Sequence, residues 1–138
     1  MNVFTPVRHI MSREVTTIQV DAPVSTARML LRSRPFHHVP VMRGDELVGI
    51  LSVADLARVS LEAFVADGPT VDAWLDETAT IQGLMTHEPE TVHPDATLRE
   101  AAARLSEGTF HALPVVSDGG KLEGILTTTD VVRFVGTP

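Results

Sequence analysis

The sequence contains no cysteine. That excludes disulfides, thiol nucleophiles and thiolate metal sites. Of its 11 basic residues only Lys121 is a lysine, and 18 acidic residues leave a formal net charge of −7. No basic stripe is present of the kind that displaces counterions from duplex nucleic acid. Nucleic acid and anionic membranes are therefore not expected partners. A small anion is a separate matter, because local donors outweigh net charge at that scale. No apolar run approaches the roughly 18 to 20 residues a membrane span needs. The opening MNVFTPVRHI lacks the basic-then-apolar pattern of an export signal. A cytoplasmic protein is expected.

What is present is enough for a core: 43% of the 138 residues are hydrophobic. The length suits one domain, or two half-size units. The chain also repeats itself. GILSVAD runs from Gly49 to Asp55, and GILTTTD from Gly124 to Asp130. Met11 to Val59 aligns on Met85 to Phe134 at an offset of 74, which becomes 75 after Gly120. Identities recur along this whole alignment, which marks an internal duplication.

Each copy reads in the same order. A β-rich stretch comes first, Thr16 to Val20 or Glu90 to His93. A helix start follows, Asp21-Ala22-Pro23 or Asp95-Ala96-Thr97, the latter with Glu100 three residues on. The helices are expected over Val24 to Arg34 and Leu98 to Gly108. In the second, Leu98, Ala101, Ala102 and Leu105 share one apolar face. Next come the strands His38 to Met42 and Ala112 to Val116. Their internal Pro40 and Pro114 leave a ladder position unpaired on one side. Hairpin turns at Arg43-Gly44-Asp45 and Ser117 to Gly120 lead to return strands, Leu47 to Leu51 and Leu122 to Leu126. A second helix begins at Ser52 or Thr127. The unit is β-α-β-β-α, too small to bury both faces of its sheet alone. The fold class expected is α+β, with two such repeats packed sheet to sheet about a pseudo-twofold axis. The first repeat covers residues 7–60, a linker with a short helix 61–80, and the second repeat 81–136. In the linker, Ala66-Asp67-Gly68-Pro69 is a break. Val71, Trp74 and Leu75 form an apolar helix face, and Trp74 is expected to plug the linker side of the core.

This pattern of strand, Asp-Ala, helix, His-x-x-Pro-Val, turn, Gly-Ile-Leu-(Ser/Thr)-x-x-Asp and helix resembles a tandem pair of cystathionine-β-synthase (CBS) domains, also called a Bateman module. The resemblance implies a regulatory module rather than an enzyme. It implies no required cofactor, and a ligand such as AMP, ADP, ATP or S-adenosylmethionine in clefts between the repeats. It also implies a homodimer and a protein target of unidentified kind. Carried over residue by residue, one cleft takes Ser52 and Asp55 with Thr91, Val92, His111 and Ala112. The other takes Thr127, Thr129 and Asp130 with Thr17, Ile18, His37 and His38.

The residues have a chemistry of their own. A carboxylate accepts from two neighbouring ribose hydroxyls, and a Ser or Thr at a helix start offers a hydroxyl beside backbone N–H groups. The same Ser-x-x-acid spacing is a capping box stabilising by about 1 kcal/mol, so it serves structure equally well. His37 and His111 could donate to a phosphate, or be ordinary polar residues at a strand start. Arg34 could also reach a phosphate, although a solvated helix end explains it. His38 and Thr129 have no polar counterpart in the other copy, Ala112 and Ala54. The cleft holding Asp130 is therefore the one expected to be filled. Arg58 and Arg133, three residues after each Asp, read as surface ion pairs. The six histidines lack helical ligand spacing, and no Ser sits in a nucleophile elbow, so neither a metal site nor a hydrolase is expected. The alternative function is a constitutive dimerisation and docking scaffold with empty or vestigial clefts.

Overall fold

The structure is a computed structural model and describes residues 2–33, 37–59 and 69–137. Arg34 and the expected break at Ala66-Asp67-Gly68 lie outside the described residues. The elements in order are a 3-10 turn (Val7–His9), β1 (Ile18–Gln19), α1 (Val24–Ser33), β2 (His38–Arg43), β3 (Glu46–Ser52), α2 (Val53–Ala57), α3 (Pro69–Thr78), α4 (Ile81–Leu84), β4 (Thr86–His87), α5 (Leu98–Leu105), β5 (Ala112–Val116), β6 (Leu122–Thr127) and α6 (Thr128–Gly136). The chain forms two compact units. A central unit spans Thr16–Glu88, and a terminal unit combines the stretch up to Val15 with that from Pro89 onward.

The central unit carries a sheet of order β1-β2-β3-β4. β1 runs parallel to β2, with Ile18 opposite Val41. β2 and β3 form an antiparallel hairpin in which Pro40 faces Ile50 and Val41 faces Gly49. β1 stops one place short of Pro40, so the missing proline N–H interrupts no bond to it. Apolar residues at helical spacing on α1, Val24, Ala27 and Leu31, close over the sheet residues Ile18, Val39, Val41 and Leu51. Leu75, Ile81 and Met85, all from beyond the first repeat, complete this core.

The terminal unit repeats the arrangement with shorter outer strands. β5 and β6 pair with Pro114 opposite Ile125. Val92 bridges Val115 in parallel, and Ser12 bridges Ile125 antiparallel. Its core is Val7, Val92, Ala101, Leu105, Leu113, Val115 and Leu126.

Repeats and units thus differ in one respect. The leader of the first repeat, Val7 to Ser12, packs into the terminal unit, and its counterpart Ile81 to Thr86 packs into the central unit. Val7 and Ile81 occupy equivalent positions in the duplication, and each is fully buried. Burying an aliphatic side chain of this size stabilises by about 1.5–3 kcal/mol. Backbone bonds hold the first leader in place, Val7 N to Ala96 O at 2.8 Å and a reciprocal pair between Ser12 and Ile125 at 2.9 and 3.0 Å. It also caps α5: Leu98 N donates to Thr5 O at 2.8 Å and Arg99 N to Val3 O at 2.9 Å.

This exchange explains the glycine in both repeated phrases. A Cβ on Gly124 would lie 2.6 Å from Ser12 O and 2.7 Å from Met11 Sδ. One on Gly49 would lie 2.4 Å from Met85 Sδ and 2.9 Å from Thr86 O. Neither glycine has a positive φ, so the requirement is for space and not for an unusual backbone.

The linker helix corrects one expectation. Trp74 is 44% exposed and does not plug the core; Leu75, 1% exposed, does. On a short helix the residues one turn apart, Val71 and Leu75, face inward together, and Trp74 falls to the side. Two acids fasten α3 to α1. Asp76 accepts from Ser25 N at 2.8 Å and Ser25 Oγ at 2.7 Å. Asp72 pairs with the buried Arg28 at 2.9 Å. Asp76 thereby serves α1 as the leader carbonyls serve α5, satisfying a helix-start donor from outside the helix.

Candidate functional site

Each repeated phrase is a strand that runs into a doubly capped helix. Ser52 and Thr127 are N-caps in extended conformation, and each takes part in a complete capping box. In the central unit Asp55 N donates to Ser52 Oγ at 3.2 Å, and Asp55 Oδ2 accepts from Ser52 N at 2.7 Å and Ser52 Oγ at 3.0 Å. In the terminal unit Asp130 N donates to Thr127 Oγ1 at 3.1 Å, and Asp130 Oδ2 accepts from Thr127 N at 2.9 Å. The first helical N–H is also used: Val53 N donates to His37 O at 3.1 Å and Thr128 N to His111 O at 3.0 Å. Each His-x-x-Pro strand is thereby tied to the start of the motif helix in its own repeat.

The two aspartates are not equivalent. Both side chains are largely buried, Asp55 12% and Asp130 10% exposed. Arg58 Nη2 approaches Asp55 Oδ1 at 2.5 Å and also donates to Leu84 O at 3.0 Å. It therefore clamps α2 to the end of α4. Arg133 lies 3.5 Å from Asp130 Oδ1, an ion pair without that second tie. Asp130 Oδ1 is consequently the less committed of the two outer carboxylate oxygens.

The remaining candidates divide by unit. Thr17, Ile18, His37, His38, Ser52 and Asp55 belong to the central unit, and Thr91, Val92, His111, Ala112, Thr127, Thr129 and Asp130 to the terminal one. Each of the two sets expected from the sequence draws on both. Within the central unit His38 is paired in register with Ser52, and within the terminal unit Ala112 with Thr127. Ile18, Val92 and Ala112 have buried side chains, so only their backbone could face a ligand. Thr17, His37, His111 and Thr129 are exposed, while His38 and Thr91 are half-buried. Thr91 O accepts from Arg104 Nη1 at 2.5 Å, and Arg104 also pairs with Glu90.

Sequence reasoning missed Arg28, Asp72, Asp76 and the second bond of Arg58. Arg28 had a signal: it stands within the apolar stripe of α1, where a charge must be paired. The reach of Arg58 to Leu84 had none, because it depends on where the second leader packs. Among the described residues no helix is long and apolar enough to cross a membrane.

The family model for the CBS domain matches residues 7–62 and 81–137. Among curated proteins the chain is similar to an inosine-5'-monophosphate dehydrogenase of Korarchaeum cryptofilum, 32% identical over 86% of this chain and 22% of the relative. It is similar also to a homoserine O-acetyltransferase of Methanococcoides burtonii, 28% identical over 96% of this chain and 24% of the relative. The chain thus spans less than a quarter of the length of these two proteins. Among solved structures, the CBS domain pair of MJ0100 in complex with 5'-methylthioadenosine and S-adenosyl-L-methionine superposes with a TM-score of 0.77, at 26% identity, over 96% of this chain and 97% of that one. CBSX2 in complex with AMP gives a TM-score of 0.78 at 30% identity, over 94% of this chain and 95% of that one. The chain belongs to the CBS-domain family, as a tandem CBS pair of α+β fold.

Proposed function

We propose that the chain is a regulatory module that binds an adenosine-containing small molecule through the two residue sets named above and signals to a partner protein. It carries out no chemistry of its own. It acts in the cytoplasm as a homodimer. The observation that carries this reading is the duplicated Ser/Thr-x-x-Asp at a capped helix start beside a His-x-x-Pro strand. The family fold adds support, since two similar pairs were solved with adenosyl ligands. Asp130, with its looser arginine, is the stronger ribose acceptor, and His38 and Thr129 add donors to the same set. A ligand that takes groups from both repeats would bias the arrangement of the repeats, and a partner would read that change.

A second reading is a constitutive docking scaffold. It is favoured by the fact that both aspartates already serve caps and arginines. Thermal melting of ligand-free protein separates the two. AMP, ADP, ATP, S-adenosylmethionine and 5'-methylthioadenosine are each added in excess. A ligand at 100 times its Kd stabilises by about 2.7 kcal/mol, roughly 5 to 10 °C for a chain of this size. A shift with any of them supports sensing; no shift with all five leaves the scaffold. Where a shift appears, Asp130→Ala should reduce it more than Asp55→Ala, each compared with its own ligand-free protein.

A further inference from the structure

We infer that the outward side of α3 is a docking surface for a basic, Arg- or Lys-bearing segment of a partner protein, with Trp74 as the anchor; this rests on the partner signalling proposed above and gives that partner a chemistry. The excess negative charge of the chain is gathered in one stretch. Residues 59–98 contain eight acidic residues and no Lys or Arg. The remainder of the chain is nearly balanced, with eleven basic and ten acidic residues. The only tryptophan lies inside the acidic stretch, on the helix that joins the two repeats.

Several acids of the stretch are engaged within the chain. Glu90 pairs with Arg104, Asp95 with Arg8 and Asp72 with Arg28. Asp76 bonds to the neutral donors of Ser25, which leave its charge in place. Glu77 is exposed and makes no ion pair among the described residues. Ala73, Trp74 and Glu77 share the exposed side of α3, while Val71 and Leu75 pack on the core. Trp74 and Glu77 are three residues apart, so they are neighbours on that side. Arg28 and Arg32 line a groove with Asp72, and neither Trp74 nor Glu77 borders it. Because Asp72 and Asp76 fasten α3 to α1, the surface is held in place before any partner arrives. A lone exposed aromatic is ordinary. An exposed indole beside a carboxylate, on a fixed helix in the most acidic stretch of the chain, fits a cationic side chain. The ring face attracts a guanidinium or ammonium, and the carboxylate accepts its hydrogen bonds. Tryptophan is also among the residues that carry most binding energy at interfaces. The surrounding field steers a basic segment inward. An acidic segment would meet like charge, and an apolar one would bury Glu77 without a partner.

Titration of the Trp74 emission with an unstructured synthetic peptide carrying four arginines tests this. Saturable one-to-one binding is expected, with a blue shift, protection from acrylamide and weakening by salt. The same peptide with glutamine at those four places should not bind. Glu77→Lys should weaken binding by at least about fivefold. Glu107→Lys makes the same change of net charge just past α5 and should weaken it by less than about twofold. Trp74→Ala, followed by anisotropy of a fluorescein-labelled peptide, should weaken it about tenfold. Equal losses in the two charge reversals, or full binding by Trp74→Ala, would mean attraction to net charge alone and overturn the inference. Absence of binding overturns it too. Emission that shifts with protein concentration before peptide is added assigns the surface to a second copy of the chain, and also overturns it. Adenosyl binding is read separately by ligand-dependent melting, so either reading can fail while the other stands.

Discussion

Replacing Gly124 with alanine places a methyl group where the first leader crosses β6. The new Cβ would sit 2.6 Å from Ser12 O and 2.7 Å from Met11 Sδ. The thioether can turn away, but the carbonyl is backbone and is held by the reciprocal Ser12–Ile125 bonds. Either the leader lifts or the strand moves. Overpacking of this kind costs about 1–3 kcal/mol, and each backbone bond lost costs a further 0.5–1.5 kcal/mol or so. The expected destabilisation is about 2–3 kcal/mol. Unfolded-state entropy acts in the opposite direction, since Gly→Ala at a permissive backbone stabilises by about 0.4–1 kcal/mol. The sign of the change therefore decides the argument. Gly49→Ala should cost less, about 1–2 kcal/mol. Its tightest contact is the Met85 sulfur, and the nearest backbone oxygen is farther, at 2.9 Å. Urea denaturation gives both values, and hydrogen exchange at the Ser12 amide reports leader release directly. Unchanged or increased stability in Gly124→Ala, with Ser12 exchange at the wild-type rate, refutes the close-approach account.

Other outcomes follow from the same contacts. A fragment of residues 16–88 should hold a cooperative fold by circular dichroism and NMR. A fragment of 7–62, the first repeat alone, should not, because it lacks Leu75, Ile81 and Met85. Asp76→Ala removes the acceptor for Ser25 N and should cost about 1 kcal/mol in chemical denaturation. Arg28→Ala removes a buried guanidinium and its packed stem while Asp72, 41% exposed, stays hydrated, and should cost about 1.5–3 kcal/mol by the same assay. Trp74 is the only tryptophan, so its emission should be that of a partly hydrated indole and should be quenched by acrylamide without unfolding.

The features legible in the sequence are those decided by neighbours along the chain. Capping boxes need only a Ser or Thr and an Asp three residues later, and both formed. The hairpins and their prolines follow from turn residues and alternation, and the i,i+3 pairs of Arg58 and Arg133 from helical spacing. The leader exchange was not read, because it is a long-range pairing. Its one local trace was a glycine inside each apolar strand, a known sign that another backbone comes close. Trp74 was misplaced because three apolar residues on a short helix allow two inward faces; the Asp72–Arg28 and Asp76–Ser25 contacts fix which one is used. Of the candidate site, the two aspartates and their caps were legible. The inequality set by Arg58 was not, because Leu84 O comes from the second leader.

The most direct test of the central claim is an amide NMR titration of ligand-free protein with AMP, ADP, ATP, S-adenosylmethionine and 5'-methylthioadenosine in turn. At least one of them should give saturable shifts at Thr17, Ile18, His37, His38, Thr127, Thr129 and Asp130, with weaker effects or none at Ser52 and Asp55. No saturable shift with any of the five, or shifts confined to residues outside both sets, would contradict the claim.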